Sequence, residues 1–325
     1  MNDLALFGHD LFGNAVEPLS SGPVAERFVF PPFSVLDARA GEWQDRKRAW
    51  AAMGIQGEVG RGNDLLMNGA AAWQSMNSSE GRKDNLIGDS KTTSLGDKDT
   101  SIFDPVVCEL VYRWWSPDGG QVLDPFAGGS VRGIVAASLR RFYWGCDLRP
   151  EQVAANNAQA DTIGVTPRPI WTAGDSRTTL ADAPLADLLF SCPPYGNLES
   201  YSDDPLDLST YDWSAFLIAY RLIIAKSLAR LKPNRFACFV VGNFRDSRGH
   251  YRDLVGETVA AFAASGAAYY NEAVLVTSVG SASMRVTRQF NGGRKLCKTH
   301  QNVLVFVKGD WRKAADACAP FSETA

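Results

Sequence analysis

The stretch Gln121-Val122-Leu123-Asp124-Pro125-Phe126-Ala127-Gly128-Gly129-Ser130-Val131-Arg132 decides how the rest of the chain is read. QVLD is a short apolar run ending in an acid and reads as a buried strand. SVRGIVAASLRR, residues 130–141, carries apolar residues at helical spacing. Between them, Pro125 to Gly129 form a turn. Its glycines let backbone approach a ligand closely, and the following helix start offers free N–H donors. The pattern is neither G-x-G-x-x-G nor a P-loop. Asp124 beside the turn disfavours a pyrophosphate and suits a cationic ligand.

Outward from this unit, strand and helix signals alternate. Helix SIFDPVVCELVYRWW (101–115) precedes it. Strand FYWGCD (142–147), helix RPEQVAANNAQA (149–160), strand PIWTAGD (169–175) and strand ADLLFS (186–191) follow. Then come a long helix at 213–231, a strand at 236–244, a helix at 252–266, and strands at 272–279 and 300–309. Such alternation predicts an α/β fold, with a mainly parallel seven-stranded sheet covered by helices on both faces. No helix is expected between the last two strands, so they should form an antiparallel edge.

The domain reading follows. Residues 1–100 comprise a loose arm (1–30), a docking segment (31–54) and a polar linker (75–101). Residues 101–310 form the α/β domain and 311–325 a C-terminal tail. In the docking segment Trp43, Arg46, Lys47, Arg48 and Trp50 interleave aromatics with positive charge. That suits either a helix packed on the main domain or stacking and phosphate contact.

Composition bounds the function. The 325 residues are 45% hydrophobic with net charge −3, which excludes a wholly disordered chain and binding to nucleic acid through bulk charge. There is no apolar run long enough for a membrane span, and the acidic N-terminus lacks a signal pattern, so a cytoplasmic protein is expected. Six dispersed cysteines and three histidines make no zinc cluster, and no metal is expected. The sequence leaves the oligomeric state open.

Three successive strand tips carry polar groups. Asp124 ends the first strand and Gly145-Cys146-Asp147 the second, where an acid commonly holds a ribose diol. Gly174-Asp175-Ser176 ends the third and can hydrogen-bond an adenine edge. Together they imply a nucleoside-like cofactor across the sheet's carboxyl edge. The fourth strand ends in Ser191-Cys192-Pro193-Pro194-Tyr195.

On these residues the chain resembles the amino-methylating DNA methyltransferases. Asp-Pro-Phe-Ala-Gly is similar to their S-adenosylmethionine motif and Ser-Cys-Pro-Pro-Tyr to their catalytic (Asp/Asn/Ser)-Pro-Pro-(Tyr/Phe) motif. Residues 101–308, about two-thirds of the chain, also resemble phage DNA methyltransferases sharing the run SCPPY-x-x-LE-x-YSDD. The resemblance implies a Rossmann-like class I methyltransferase fold and S-adenosylmethionine as cofactor. The implied reaction is methylation of adenine N6 or cytosine N4 in DNA, of the restriction-modification or phage type. It also implies that Asp124, Pro125, Phe126, Gly128, Gly129 and Asp147 hold methionine and ribose, and that Asp175 and Ser176 hold adenine. Thr100, Ser101, Phe103 and Asp104 match the segment that helps hold the methionine moiety. Only about 15 residues separate Asp175 from Ser191, too few for a recognition domain.

An exocyclic base amine is a poor nucleophile because its lone pair is delocalised into the ring. A site helps by accepting its hydrogens and aligning the nitrogen with a methyl donor. In the family, the motif's first side chain and first Pro carbonyl accept them, and the aromatic stacks on a base flipped from double-stranded DNA. Here Cys192 stands at that first position, and a thiol is a weak acceptor. Ser191 is one candidate to compensate; Glu199, Asp203 and Asp204 are others. A cysteine nucleophile acting on C5 of a pyrimidine is the alternative chemistry. An RNA base methyltransferase and an inactive nucleic-acid binder are alternative functions.

Substrate contact is expected from a basic stripe. Arg285, Arg288, Arg294, Lys295 and Lys298 lie in 284–308, which contains no acid and reads as a long loop made flexible by Asn291-Gly292-Gly293. Asn243 and Asp246 are read equally as base contacts or as a turn.

Overall fold

The computed structural model describes residues 27–55, 103–195, 204–279, 282–318 and 320–321. The arm up to residue 26, the polar linker, Thr100, Ser101, Glu199 and Asp203 lie outside the described residues. The elements, in chain order, are β1 (Val35–Asp37), α1 (Gly41–Ala52), α2 (Pro105–Trp115), β2 (Gln121–Asp124), α3 (Val131–Ser138), β3 (Phe142–Asp147) and α4 (Pro150–Ile163). They continue with β4 (Ile170–Ala173), α5 (Ser176–Thr179), β5 (Ala186–Ser191), α6 (Trp213–Arg230), β6 (Leu231–Val241), β7 (Phe244–Arg245) and β8 (Tyr251–Arg252). Last come α7 (Leu254–Ala264), β9 (Ala268–Val276), α8 (Ala282–Gly293), β10 (His300–Lys308) and α9 (Trp311–Asp316).

Local chemistry accounts for many of the boundaries. Asp104, Asp175, Asp212, Asp253 and Asp310 each cap a helix by accepting a hydrogen bond from a first-turn backbone N–H. Pro105 and Pro150 open α2 and α4, where a missing N–H costs nothing. Gly164 ends α4 at φ +73°, a left-handed conformation that disfavours side chains.

The main sheet has eight strands in the order β1-β9-β10-β6-β5-β2-β3-β4. All pairings are parallel except those of β10 with β6 and β9. Every residue of β5 is buried, as expected of a central strand covered on both faces. Its alternation sends Leu188 and Phe190 into the core under α2 and α3, and Leu189 into the core under α6 and α7. This is a Rossmann-like α/β arrangement, with one strand more than expected.

Two expectations are corrected. The antiparallel strand β10 is not at the edge but inserted between β6 and β9. The edge is β1, which pairs parallel to β9. A helix, α8, does separate the last two strands, where a loop was expected.

The docking segment packs as a helix. Trp43 and Trp50 of α1 are each 1% exposed. Trp50 Nε1 donates to the fully buried Glu109 at 2.8 Å, which also accepts from Arg46 Nε at 2.6 Å and Arg113 Nε at 2.9 Å. Both indoles are therefore committed to the core, which removes them from nucleic-acid contact, and Arg46 is paired with the buried Glu109. Among the described residues no helix is long and apolar enough to cross a membrane.

Candidate active site

Strands β3 and β4 lie to one side of β2, and β5 and β6 to the other. The crevice where such a sheet reverses direction, at the carboxyl ends of its strands, is where ligands bind in open α/β sheets. A cleft of about 1480 Å³ opens there. Phe103, Asp104, Pro125, Phe126, Gly128 and Gly129 line one part of it, joined by Asp147, Asp175 and Ser176. Cys192, Pro193, Pro194 and Tyr195 line another, and α8 with the segment after it a third. The structure thus brings the described cofactor and motif candidates together, with two exceptions in how their side chains are used.

Asp124 is the first exception. It is wholly buried, and its Oδ2 accepts from Arg132 Nε at 2.5 Å and the Tyr143 hydroxyl at 2.7 Å. Its Oδ1 accepts from the Ser191 hydroxyl at 2.5 Å and from Phe126 N at 3.2 Å. The expectation that this acid offers free negative charge to a cationic ligand is corrected: a buried arginine neutralises it. Burial opposes the charge on Arg132, but neighbouring Asp124 outweighs that and lifts its pKa above the ordinary arginine value. The guanidinium also donates to the carbonyls of Phe126 at 2.6 Å and Ala127 at 2.9 Å, so Arg132 holds the turn from beneath.

Ser191 is the second exception. Its hydroxyl donates to Asp124, accepts from Phe126 N at 3.2 Å and has no exposed surface, so it lies below the cleft floor and is not placed to be the compensating acceptor for Cys192. The catalytic candidates that reach the cleft are Cys192 to Tyr195. The Cys192 sulfur lies 3.9 Å from the Tyr195 hydroxyl, which accepts from Gln301 Nε2 of β10 at 2.6 Å.

The glycine turn is braced from α4. Asn156 Nδ2 donates to the Gly128 carbonyl at 2.8 Å, Gln152 Nε2 to Asn156 Oδ1 at 3.0 Å, and Ser130 to Gln159. Sequence reasoning missed these three amides and Gln301. The signal for the first three was their spacing, 152, 156 and 159, along one helical face. Gly128 sits at φ +50° with open space where a side chain would begin. Asp147 accepts from Gly128 N and Arg149 N, each at 3.0 Å and on different oxygens. Burial raises its pKa against those two bonds.

Asp175 caps α5 and pairs with Arg177 Nε at 2.7 Å, while Ser176 donates to the Pro125 carbonyl at 2.5 Å, tying two loops together. Asp104 caps α2 and accepts from Trp43 Nε1 at 3.1 Å. Phe103 packs edge-on to Phe190 and beneath the Arg132 guanidinium.

On the far side, Arg285, Arg288, Lys295 and Lys298 line the cleft and Arg294 is exposed beside them. Burial lowers the pKa of Lys298. The correction here is that Arg285 and Arg288 ride on α8, of which Asn291-Gly292-Gly293 is the last turn rather than a flexible hinge. Asn243 accepts from Val255 N and donates to Asp253, and Asp246 accepts from the backbone of Arg248 and His250. Both take the turn role. No group of three or more potential metal ligands occurs among the described residues.

No protein-family model and no curated protein matches the chain. Among solved structures it is similar to TrmN from Thermus thermophilus, at 18% identity and TM-score 0.44, over 63% of this chain and 49% of that one. The chain thus spans about half of that protein. It is also similar to a TehB-like SAM-dependent methyltransferase from Corynebacterium glutamicum, at 15% identity and TM-score 0.41, over 76% and 100% of the two chains. A third is magnesium protoporphyrin IX methyltransferase from Synechocystis with bound SAM, at 12% identity and TM-score 0.38, over 59% and 71%.

Proposed function

We propose that the chain is an S-adenosylmethionine-dependent methyltransferase acting on an exocyclic amine of a DNA base, adenine N6 or cytosine N4. The observation that carries this reading is the Ser191–Asp124 bond, which fastens the glycine turn after β2 to the Pro-Pro-Tyr turn after β5 across one cleft.

The residues present fit the cofactor. Each Asp147 oxygen accepts one backbone hydrogen bond and keeps lone pairs for a ribose diol. The open space at Gly128 admits a ligand against the backbone. Phe103 and Asp104 close the methionine end. When bound, S-adenosylmethionine supplies an electrophilic methyl group.

The chain's own residues do the rest. Pro193 and Pro194 have no N–H, so the turn presents only backbone acceptors over these two residues, which suits an amine donor. Tyr195 offers its ring to a flipped base, with its hydroxyl fixed by Gln301. Cys192 adds a weak acceptor. The basic α8 wall is suited to the phosphates of double-stranded DNA.

The test is incubation of the full chain with methyl-labelled cofactor and either duplex DNA or RNA, then mass spectrometry of the released nucleosides. N6-methyladenine or N4-methylcytosine from DNA is expected. Labelled RNA beside unlabelled DNA, or 5-methylcytosine, overturns the reading.

A further inference from the structure

Across the cleft from α8 stands the β7–β8 hairpin, to which the sequence assigned no substrate contact beyond Asp246. Phe244 pairs with Arg252 and Arg245 with Tyr251. Asp246 accepts from the backbone of Arg248 and His250, and Gly249 turns at φ +84°, so the hairpin tip is held closed. Its base is anchored by Phe244, 7% exposed and packed edge-on to Trp213.

Two features of this rigid hairpin face outward. Tyr251 lines the cleft with half its surface exposed, although it is a large aromatic, and the Arg245 guanidinium lies 4.1 Å from its ring centroid. The hairpin also carries three arginines against one aspartate, and the Arg248 side chain is 75% exposed. Lys295, from the opposite wall, reaches over to occupy the space where a Gly249 side chain would begin. The cleft mouth therefore has two basic walls that meet at Lys295, with an aromatic face set into one of them.

We propose that the β7–β8 hairpin is a second nucleic-acid-binding element, with Tyr251 stacking on an unpaired base of the substrate strand and Arg248 neutralising an adjacent phosphate. This rests on the nucleic-acid reading of the cleft. Charge complementarity favours a polyanionic strand, and stacking on an exposed aromatic beside arginine is the sequence-tolerant way of holding single-stranded bases. Because the ring is held at strand register and not on a loop, it is ordered before the strand arrives.

The test measures binding of the full chain to a short fluorescein-labelled single-stranded DNA by anisotropy over a salt series. Tyr251→Ala should weaken binding by about 5- to 150-fold, the range of stacking on one base. Tyr251→Phe, which keeps the ring, should bind like the unsubstituted protein. Arg248→Gln should flatten the salt slope by about 0.7, the value for one phosphate of a single strand. Cofactor affinity, read by calorimetry, should not change in any of the three. If Tyr251→Ala binds normally while Arg288→Gln/Arg294→Gln is impaired, the hairpin proposal falls and the nucleic-acid reading stands. If Tyr251→Phe loses as much as Tyr251→Ala, stacking is overturned. If the unsubstituted protein binds neither this strand nor a labelled duplex of the same sequence, both fall; if it binds the duplex alone, only the hairpin proposal falls.

Discussion

The Ser191 hydroxyl donates to Asp124 Oδ1 at 2.5 Å, with neither residue exposed to solvent. The bond joins the ends of two adjacent parallel strands, β2 and β5, just where each gives way to a functional turn. Ser191→Ala leaves the buried carboxylate short of one donor, which costs about 1–3 kcal/mol. Chemical denaturation should show that loss. Methyl transfer should fall as well, and Ser191→Thr should restore more of it than Ser191→Ala retains. A Ser191→Ala protein as stable and active as the parent would show that the two turns are positioned independently.

Asp147 is the residue on which cofactor affinity is expected to depend most directly. On the proposed reading, Asp147→Ala removes charge-assisted hydrogen bonds to a ribose; it also removes the acceptor for Gly128 N. Weakening by about 1.5–3 kcal/mol is expected, measured by calorimetry with S-adenosylmethionine. Unchanged affinity would move the cofactor elsewhere in the cleft.

Glu109 ties the N-terminal helix to the domain and makes stability depend on pH. Burial alone would raise its pKa. Hydrogen bonds and charge from Arg46, the charge of Arg113 and the Trp50 N–H outweigh burial and hold it below the ordinary value of 4.5. The folded pKa is thus lower than the unfolded one. The stabilisation is fully present above pH 4.5 and is lost as pH falls below it. Glu109→Gln should remove that part of the acid sensitivity. Glu109→Ala, which leaves Arg46, Arg113 and the Trp50 N–H without their shared acceptor, should lower stability in urea unfolding at neutral pH by more than Glu109→Gln does.

Cys192 decides the reaction class. If the target is an amine, the thiol never attacks, and Cys192→Ser or Cys192→Asp should keep or raise activity, because each accepts hydrogen bonds better. Tyr195→Ala should cost about 1–3 kcal/mol in substrate binding. A dead Cys192→Ser variant, together with a sulfur adduct trapped by a 5-fluoropyrimidine substrate, would establish C5 chemistry instead.

The sequence by itself determined the elements from Pro105 to Ser191, except the short α5, and the order of the turns between them. There the signals are local: Asp104-Pro105 opening a helix, the apolar run Leu188–Phe190 in the strand Ala186–Ser191, and glycines where the backbone turns. Hydrophobic period and capping act within a few residues of chain, so they can be read from it. Only the tertiary structure decided how the polar groups are spent. Asp124 looked like a free acid because Tyr143 and Ser191 are brought to it by strand order and register, and because only the folded turn shows that Arg132, at the start of α3, points back at it. Trp43 and Arg46 looked equally fit for nucleic acid and for packing until Asp104 and Glu109, some sixty residues on, claimed them. Helix α8 read as a loop because its sequence ends in Asn-Gly-Gly and its apolar residues Met284, Val286 and Phe290 stay exposed, leaving little burial to mark a helical face. The Gln301–Tyr195 contact spans 106 residues and exists because β10 runs antiparallel between β6 and β9, bringing its N-terminal end to the carboxyl ends of the parallel strands. A hydrogen bond between distant residues is a property of the sheet's topology, and topology is settled by burying all faces at once rather than by any one segment.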